Sequence, residues 1–175
     1  MLNVLSALDS GEFIVGDGAM GTMLQSKGLP AGAPPERWNR EHPEVLLEIH
    51  AAYLEAGAQI ATTNTFGGNR LRLREGGLED ELEILNRRGV ELAREAVSDK
   101  AWVAASVGPT GKLMEPFGPL SIAEAEEIYA EQIAILAEAG ADVIFMETAH
   151  DIDEACCAIR AAKAETDLPV FATFA

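Results

Sequence analysis

The stretch Phe13-Ile-Val-Gly-Asp-Gly-Ala-Met-Gly-Thr-Met-Leu24 decides how the rest of this chain is interpreted. Its first three residues are apolar and predict a short strand, and the glycines after them allow a tight turn and a close approach of the backbone to a ligand. Asp17 lies at the carboxyl end of that strand, between two glycines. An acid in this position suits a small cationic or zwitterionic ligand. The alternative is a strand-ending turn in which Asp17 only accepts hydrogen bonds from local amides.

The composition is that of a globular domain with a strong acidic excess. The chain has 175 residues, of which 48% are hydrophobic and 24% charged, and this length suffices for one domain with a core. A net charge of −16 argues against nucleic acid or an anionic membrane as a partner. The apolar runs are far shorter than the ~18 residues of a membrane span, and the N-terminus lacks the basic residues of a signal peptide. We therefore expect a cytoplasmic protein.

Predicted strands and helices alternate along the chain. Strands are predicted over 13–15, 58–66, 102–107, 141–146 and 168–174. Helices are predicted over 3–10, 43–56, 78–97, 122–139 and 152–165, and long loops over 25–35, 67–77 and 112–120. Because no two strands are consecutive, the pattern favours a parallel α/β sheet. Ser121 with Glu124, and Asp151 with Glu154, predict capping boxes at two helix starts.

A repeat strengthens this interpretation. The tetrapeptide Glu-Ala-Gly-Ala occurs at 55–58 and again at 138–141, each time before a predicted strand, and aligning the two copies places Asn64 on Glu147. Asp17, Asn64, Ser106 and Glu147 all fall at or near the carboxyl ends of strands. A (β/α)8 barrel keeps its chemistry there, but an open doubly wound sheet also binds ligands at those ends.

The length points to part of a barrel. A complete barrel takes about 250 residues, and this chain has fewer. We interpret residues 1–175 as a single partial domain of α/β class, a parallel (β/α)8 TIM-type barrel of which the chain supplies the first four βα units plus strand five. Such a half-barrel leaves open sheet edges, which predicts aggregation, pairing with another chain or a homo-oligomer through those edges.

Asp17 and Glu147 are the pair of residues with the clearest chemistry. Two carboxylates in one cavity repel each other unless a cation lies between them, and an α-ammonium group is such a cation. The backbone amides of 18–21 could then hold a carboxylate, as a concave nest of N–H groups does. Together these features describe an amino acid as ligand. The alternative is two structural acids that cap loops.

Other motifs have simpler explanations. Residues 16–21 match Gly-x-Gly-x-x-Gly, but Asp17 would repel a pyrophosphate and no acid ends the second strand, which disfavours a nucleotide site. A phosphate- or nucleotide-binding α/β enzyme stays an alternative. Adjacent helical residues point about 100° apart, so Cys156 and Cys157 are interpreted as core rather than as a zinc pair. His50 is interpreted as a helix-packing residue.

Four segments in order carry a resemblance that covers nearly the whole chain. They are Asp17-Gly-Ala-Met-Gly-Thr22, Thr63-Asn-Thr-Phe66 followed by Gly67-Gly-Asn69, Ser106-Val-Gly-Pro109, and Phe145-Met-Glu-Thr148. In these segments the sequence resembles the homocysteine S-methyltransferase family, which includes the homocysteine-binding module of cobalamin-dependent methionine synthase.

The resemblance implies a (β/α)8 barrel that binds L-homocysteine at the carboxyl ends of its strands and activates the sulfur on zinc. By this resemblance Asp17 and Glu147 match the acids that hold the amino group, and Asn64 and Ser106 match residues that line the pocket. The turn near the carboxylate is matched by Gly18, Ala19, Met20 and Gly21. Zinc keeps a thiol as thiolate, which is the nucleophile in methyl transfer.

The sequence departs from the family in its metal ligands. In the family, one zinc cysteine follows a Gly-x-Asn segment and two lie in a Gly-Gly-Cys-Cys segment, and neither segment occurs here. We therefore assign no metal ligand and no catalytic residue, and expect the chain to carry the amino-acid-binding half of a homocysteine S-methyltransferase. The donor implied is methylcobalamin charged from methyltetrahydrofolate, or S-methylmethionine. The alternative is a non-catalytic half-barrel that binds an amino acid or pairs with another chain.

Three arginines, Arg70, Arg72 and Arg74, fall in the loop predicted over 67–77. The sequence leaves open whether they contact a partner or only water.

Overall fold

One parallel sheet forms the centre of the computed structural model, which describes residues 4–175. Its strands are β1 (Ile60–Thr62), β2 (Trp102–Val107), β3 (Val143–Ala149) and β4 (Val170–Phe174). They lie in the order β1-β2-β3-β4, and each is parallel to its neighbour. This sequential order is that of a barrel segment, because a doubly wound sheet reverses its strand order at a switch point. The predicted parallel α/β fold is confirmed, whereas closure into eight strands stays a prediction.

Eight α-helices accompany the sheet in the part of the chain that the structure describes. They are α1 (Val4–Asp9), α2 (Met20–Ser26), α3 (Trp38–Glu41), α4 (Pro43–Glu55), α5 (Arg70–Glu75), α6 (Leu82–Val97), α7 (Ile122–Glu138) and α8 (Ile152–Glu165), with 3-10 turns at Pro35–Arg37 and Glu79–Glu81. Residue 3, which begins the first predicted helix, lies outside the described residues.

The predicted helix starts and ends are confirmed, but the reciprocal bond of a capping box is not, because Glu154 accepts hydrogen bonds from Thr110 and Tyr129 instead. The side chain of Ser121 accepts a hydrogen bond from Glu124 N at the start of α7, and Asp151 accepts from the amides of the first turn of α8. Gly57 and Gly140, the glycines of the repeated tetrapeptide, follow α4 and α7 with φ of +104° and +98°. Glycine adopts this left-handed conformation without steric cost, so the repeat marks two equivalent helix ends.

The strand predicted over 13–15 is wrong. Only one bridge joins this segment to the sheet, between Gly16 and Ile60, and Val15 O accepts hydrogen bonds from Gln59 N at 2.7 Å and Ile60 N at 3.3 Å. The chain turns away after this single contact, so no ladder forms, and Phe13 is 95% exposed. The described sheet therefore has four strands where five were predicted.

Two segments predicted as loops contain helices. The loop predicted over 25–35 begins inside α2, and the loop predicted over 67–77 contains α5. Asn69 caps the start of α5, since its side chain accepts a hydrogen bond from Arg72 N at 3.1 Å. Arginine and leucine alternate over 70–73, and a period of two is typical of a strand rather than of a helix. The alternation therefore hid the helix from sequence reasoning, although both residue types favour helix.

Alternation of side chains gives the sheet two different faces. On the outer face, residues such as Val103, Ala105, Ile144 and Met146 pack with the apolar sides of α6, α7 and α8. On the inner face, Trp102, Ala104 and Val143 pack with Val4 and Ala7 of α1. Because Trp102 and Val143 begin their strands, α1 covers the amino ends of the inner face. The carboxyl ends of the same face are left for the site.

Apolar side chains remain exposed at both edges of this open sheet. Phe13 lies beyond β1, and Phe174 at the end of β4 is 59% exposed. Aggregation, or pairing with another chain through these edges, including as a homo-oligomer, stays a prediction. No helix within residues 4–175 has both the length and the apolar composition needed to cross a membrane.

Three residues weighed in the sequence lie away from any polar cluster. Cys157 is buried in the core between α7 and α8, and Cys156 is half-buried, so the interpretation as core is confirmed for Cys157. His50 on α4 is 1% exposed, and neither of its ring nitrogens makes a hydrogen bond among the described residues. Helix packing is thus confirmed for His50, at the cost of an unpaired buried imidazole.

This imidazole makes the fold sensitive to acid. Burial lowers the pKa of His50 from 6.5 to about 4, so the unfolded chain binds a proton between these values that the folded chain does not. Stability is therefore complete above pH 6.5 and falls as the pH drops towards 4. Between pH 7.5 and pH 5 we expect a loss of about 2 kcal/mol in the free energy of unfolding from this residue.

Urea denaturation of the wild-type protein and of His50→Leu at several pH values measures this loss. The leucine variant should lack this part of the pH dependence, whereas a change at the exposed His42 should leave it intact. Equal acid sensitivity in wild-type protein and His50→Leu would contradict the prediction.

Candidate functional site

Polar side chains end the inner face of three neighbouring strands. Thr62 ends β1, Ser106 is the fifth residue of β2, and Glu147 follows Met146 in β3. The register pairs Thr62 with Ala104, and Val107 with Met146, so these polar positions lie at the same edge of the sheet. The apolar residues beneath them belong to the cluster that α1 covers. The inner face of the sheet is therefore apolar at the amino ends of the strands and polar at their carboxyl ends.

Asp17 is held at this edge by the end of β1. Its Oδ2 accepts a hydrogen bond from Thr62 N at 2.7 Å, and its Oδ1 accepts one from Thr62 Oγ1 at 2.7 Å. Burial raises the pKa of Asp17 above its usual range, and the bonds from Thr62 oppose that rise. Asp17 does accept a hydrogen bond from a backbone amide, as the alternative interpretation predicted, but that amide is not local, because Thr62 lies 45 positions away.

Glu147 is the second acid at this edge, and it is bound by the hydroxyl of Ser106. Burial raises the pKa of Glu147, the bond from Ser106 opposes the rise, and the charge of Asp17 raises it further. This effect of the Asp17 charge on Glu147 requires the two carboxylates to lie near each other. A cation between them would relieve the repulsion.

A strained residue follows Glu147. Thr148 has a φ of +60°, which is rare for a β-branched residue, and the pairing of β3 with β4 shifts register between Met146 and Ala149. Such bulges redirect side chains next to functional sites. The strand predicted to end at Met146 therefore continues to Ala149, with Glu147 inside the irregular segment.

The acids open into a cleft of about 720 Å³. All eight residues that the sequence analysis assigned to a site line it: Asp17, Gly18, Ala19, Met20, Gly21, Asn64, Ser106 and Glu147. They come from four separate parts of the chain. Their part in binding stays a prediction, since lining a cleft is not evidence of contact with a ligand.

The turn after Asp17 lines the cleft and contains two backbone amides without a partner among the described residues. The amides of Gly18 and Ala19 donate no hydrogen bond within the described residues. A Cβ atom at Gly18 would lie 2.7 Å from the ring of Tyr53, and the Tyr53 hydroxyl donates to Ala19 O at 3.0 Å. Tyr53 thus fixes the turn from the side of α4, and a side chain at position 18 would have to displace the Tyr53 ring.

Asn64 has a structural task besides lining the cleft. Its Nδ2 donates to Pro35 O and to Asn39 Oδ1, both at 2.8 Å. Asn39 in turn donates to Asn64 O at 2.8 Å. These bonds join the segment after β1 to the start of α3, so Asn64 shapes one wall of the cleft.

Sequence reasoning missed several polar residues of the cleft, among them Thr62, Glu36 and Arg72. Thr62 ends β1 in the structure but lies inside the strand predicted over 58–66, which is therefore shorter than predicted, and the wrong boundary concealed Thr62. Glu36 is 3% exposed, and its Oε1 accepts from Gly67 N at 2.7 Å; burial raises its pKa, and the charge of Arg72 opposes the rise. No local pattern distinguishes Glu36 or Arg72 from surface residues.

The two other arginines of the same helix are paired with carboxylates. Arg70 Nε lies 2.6 Å from Glu131, and Arg74 Nε lies 2.5 Å from Glu79. Each of these pairs is partly exposed, so each contributes little to stability.

The residues present do not fit the zinc ion that the resemblance implies. Within residues 4–175, no three His, Cys, Asp or Glu side chains are grouped so that they could hold a metal ion. Zinc in proteins takes four ligands, mostly cysteine and histidine, whereas the cleft contains neither. No chemical step is therefore assigned to a metal held by these residues.

Comparison with known proteins gives a family and two kinds of relative. A family model described as homocysteine S-methyltransferase matches residues 14–175. Methionine synthase of Mycobacterium tuberculosis (strain ATCC 25618 / H37Rv) is 33% identical over 189 residues, which covers 98% of this chain and 15% of that protein. Methionine synthase of Mycobacterium leprae (strain TN) is 33% identical over 175 residues, covering 90% and 14% respectively.

Solved structures of similar fold point the same way. The homocysteine methyltransferase MmuM from Escherichia coli, in its metallated form, superposes with a TM-score of 0.84 at 25% identity, covering 97% of this chain and 65% of that one. Its oxidized form gives a TM-score of 0.84 at 26% identity with the same coverage. The chain thus spans about one seventh of the two methionine synthases (15% and 14%) and 65% of this methyltransferase.

Proposed function

This chain belongs to the homocysteine S-methyltransferase family, and from that premise we propose that it binds L-homocysteine for methylation to methionine. The observation that carries the proposal is the meeting of Asp17 and Glu147 at one cleft, where each carboxylate has a raised pKa. Two partly buried acids that repel each other form a site for a cation. The α-ammonium group of an amino acid supplies it.

The remaining contacts suit the rest of an amino acid. The unpaired amides of Gly18 and Ala19 suit the α-carboxylate of homocysteine, on the side of the cleft where Tyr53 fixes the turn. Phe145 also lines the cleft, beside Glu147 in β3, and offers an apolar wall for the methylene groups. Bound in this way, homocysteine would be oriented by its two charged ends, which leaves its sulfur free to react.

The chemical step needs more than these residues. When bound, zinc would hold the sulfur as a thiolate, the nucleophile of methyl transfer, and its ligands would have to come from outside this chain. The methyl donor, whether methylcobalamin charged from methyltetrahydrofolate or S-methylmethionine, is part of the same proposal. Asp17, Glu147 and the 18–21 turn bind and orient the substrate.

Calorimetric titration with L-homocysteine tests the function. We expect binding without zinc, weakened about tenfold to a hundredfold in Asp17→Asn and in Glu147→Gln, because each substitution removes a charged hydrogen bond worth about 1.5–3 kcal/mol. Asp153→Asn, at an exposed position outside the cleft, is the matched control and should bind like the wild type.

The titration has clear contrary outcomes. Circular dichroism first establishes that each variant is folded. Absence of homocysteine binding to folded wild-type protein would refute the proposal for this chain. Binding that depends on zinc would show instead that a metal site exists where the described residues offer none.

A further inference from the structure

The two acids proposed to bind the ammonium group differ in their own hydrogen-bond partners. Asp17 accepts two bonds from one residue, with Thr62 N at 2.7 Å from Oδ2 and Thr62 Oγ1 at 2.7 Å from Oδ1. The carboxylate of Glu147 has a single partner within residues 4–175, the hydroxyl of Ser106. This difference determines which of the two acids can hold a proton when homocysteine is not bound.

The partners of Asp17 favour its ionised form. A backbone N–H can only donate, so Oδ2 cannot carry a proton while it accepts from the amide of Thr62. A hydrogen bond to an ionised acceptor is roughly twice as strong as one between neutral groups. Burial raises the pKa of Asp17, and both bonds from Thr62 oppose the rise. Of the two acids, Asp17 is therefore the one held as a carboxylate.

The partner of Glu147 accommodates either form. A hydroxyl both donates and accepts, so Ser106 Oγ donates to an ionised Glu147 and accepts from a protonated one after its hydrogen turns. Ser106 is 1% exposed, and its Oγ has no other partner among the described residues, so no further contact fixes the direction of that bond. Burial raises the pKa of Glu147, the bond from Ser106 opposes the rise, and the charge of Asp17 adds to it.

The strands packed beside Glu147 place no charged side chain against it. Ser106 belongs to β2, and Thr173 of β4 accepts a hydrogen bond at 3.2 Å from the amide that follows Glu147. Neither of these side chains is charged. The titratable residues that follow β3, His150 and Asp151, do not line the cleft. The charge that acts on Glu147 is that of Asp17.

The cleft as a whole is acidic. The other charged residues that line it are Glu36, Arg72 and Glu75. Arg72 is the one cation among the described residues of the cleft, and it is paired with Glu75 at 3.5 Å. A proton on Glu147 therefore relieves the repulsion from Asp17 until another cation arrives.

We propose that Glu147 carries a proton when homocysteine is not bound, and that the α-ammonium group of homocysteine displaces it. The inference rests on the proposed function, because that substrate supplies the displacing cation. On binding, the O–H bond of Glu147 breaks and its proton passes to water. The carboxylate that remains accepts a hydrogen bond from the ammonium group, and Ser106 turns to donate. Asp17 stays ionised throughout.

Proton displacement makes homocysteine binding depend on pH. The ammonium group lowers the pKa of Glu147 in the complex relative to the free protein, so protons compete with homocysteine. Affinity is therefore complete above the pKa of Glu147 in the free protein. It falls as the pH drops towards the pKa in the complex, by at most about tenfold per pH unit. Over the same interval, each homocysteine releases up to one proton.

Carbon NMR of the protein, labelled at the carboxyl carbons of aspartate and glutamate, observes the proton directly. The two signals are identified by their absence in Asp17→Asn and Glu147→Gln. The pH is lowered over the range in which circular dichroism shows a folded protein, with a chelator to remove zinc. Glu147 should take up a proton at a higher pH than Asp17, and saturating L-homocysteine should move the Glu147 midpoint to lower pH. Earlier uptake by Asp17, or a Glu147 that stays ionised over the whole range, would overturn the proposal.

A deaminated analogue of homocysteine, 4-sulfanylbutanoate, tests which group displaces the proton. It has the carboxylate and the thiol of homocysteine but no amino group. It should therefore leave the Glu147 midpoint unchanged or raise it. A lowered midpoint with this analogue would mean that the ammonium group is not the cause, which is incompatible with the proposal.

Calorimetry counts the released protons. Titrations of L-homocysteine at one pH in phosphate and in Tris differ in heat according to the number of protons that the buffer takes up. The wild type and the exposed control Asp153→Asn should release the same fraction of a proton. Glu147→Gln binds more weakly and should release none, so release that persists in this variant would also overturn the proposal.

The failure of this inference and the failure of the proposed function give different results. If homocysteine binds but the Glu147 midpoint does not move, the inference is wrong and the proposed function stands. If homocysteine does not bind to folded wild-type protein, the proposed function is refuted and this inference with it.

Discussion

Replacing Glu154 by leucine is expected to destabilise the protein by about 4 kcal/mol. Glu154 is 4% exposed, and its Oε1 accepts three hydrogen bonds: from Thr110 N at 2.8 Å, from Thr110 Oγ1 at 2.6 Å and from the Tyr129 hydroxyl at 2.9 Å. Leucine fills the space but leaves three buried donors without an acceptor, each at a cost of about 1–3 kcal/mol.

The position of these donors gives the substitution a wider effect. Thr110 lies between β2 and Gly111, the residue on which Arg72 packs, and Tyr129 lies on α7. Glu154 on α8 thus fastens the segment after β2 to two helices. Without these hydrogen bonds, the side of the cleft that contains Arg72 should unfold at a lower temperature than the core on the outer face of the sheet.

Thermal and urea denaturation measure the expected loss, which corresponds to about 10 °C in Tm for a domain of this size. Glu165→Leu is the matched control, because Glu165 ends the same helix and is exposed. It should change stability by no more than about 0.5 kcal/mol. A similar Tm for both variants would mean that the buried carboxylate is dispensable.

The second large effect is expected from Gly68→Ala, with a loss of about 3 kcal/mol. A Cβ atom there would lie 2.3 Å from Asn86 Oδ1, 2.7 Å from Gln132 Nε2 and 2.9 Å from the backbone oxygen of Thr65. These atoms already bond one another, since Gln132 Nε2 donates to Thr65 O at 2.8 Å and to Asn86 Oδ1 at 3.1 Å. The added methyl group must separate buried polar partners.

This network also supports the site. The Thr65 hydroxyl donates to Ser106 O at 2.7 Å, and Ser106 N donates to Thr63 Oγ1 at 3.0 Å. Displacement of the 63–68 segment therefore moves Ser106, which binds Glu147. We expect Gly68→Ala to weaken homocysteine binding as well as the fold.

Gly21→Ala is the control for this substitution, because a Cβ atom at Gly21 meets nothing within 4 Å and its φ is not in the left-handed region. Its free energy of unfolding in urea should match that of the wild type or exceed it slightly, since alanine favours helix. If Gly68→Ala were equally harmless, the segment after β1 would have to be free to move.

The sequence predicted those elements whose signal is local. Ser121 and Asp151 identified the starts of α7 and α8, and Gly57 and Gly140 identified the ends of α4 and α7, because a cap or a left-handed residue acts within one helical turn. The nearly continuous apolar run of β3 was sufficient to predict a buried strand, because that signal too lies within a few adjacent residues. Strand and helix order then led to the parallel sheet.

The errors fall where pairing partners decide the structure. Residues 13–15 have the composition of a strand but make one bridge at the edge of the sheet, and α5 forms under an alternating pattern because Asn69 caps it and Leu73 is buried. Neither the number of strands that pair with a segment nor the burial of a side chain can be derived from a few adjacent residues.

For the site, alternation and parallel order allowed the sequence alone to predict which residues gather near the carboxyl ends of the strands, although Asp17 follows a single bridge and Asn64 lies two residues beyond β1. Asp17, Asn64, Ser106 and Glu147 were found in this way, and the cleft they line is common to all four. Only the tertiary structure decided how they are held. Thr62 binds Asp17 across 45 positions, Ser106 binds Glu147 across 41, and Arg72 lines the cleft beside Glu75, with which it forms an ion pair. The physical reason is that hydrogen bonding and burial depend on distance in space, which the sequence fixes only through the whole fold.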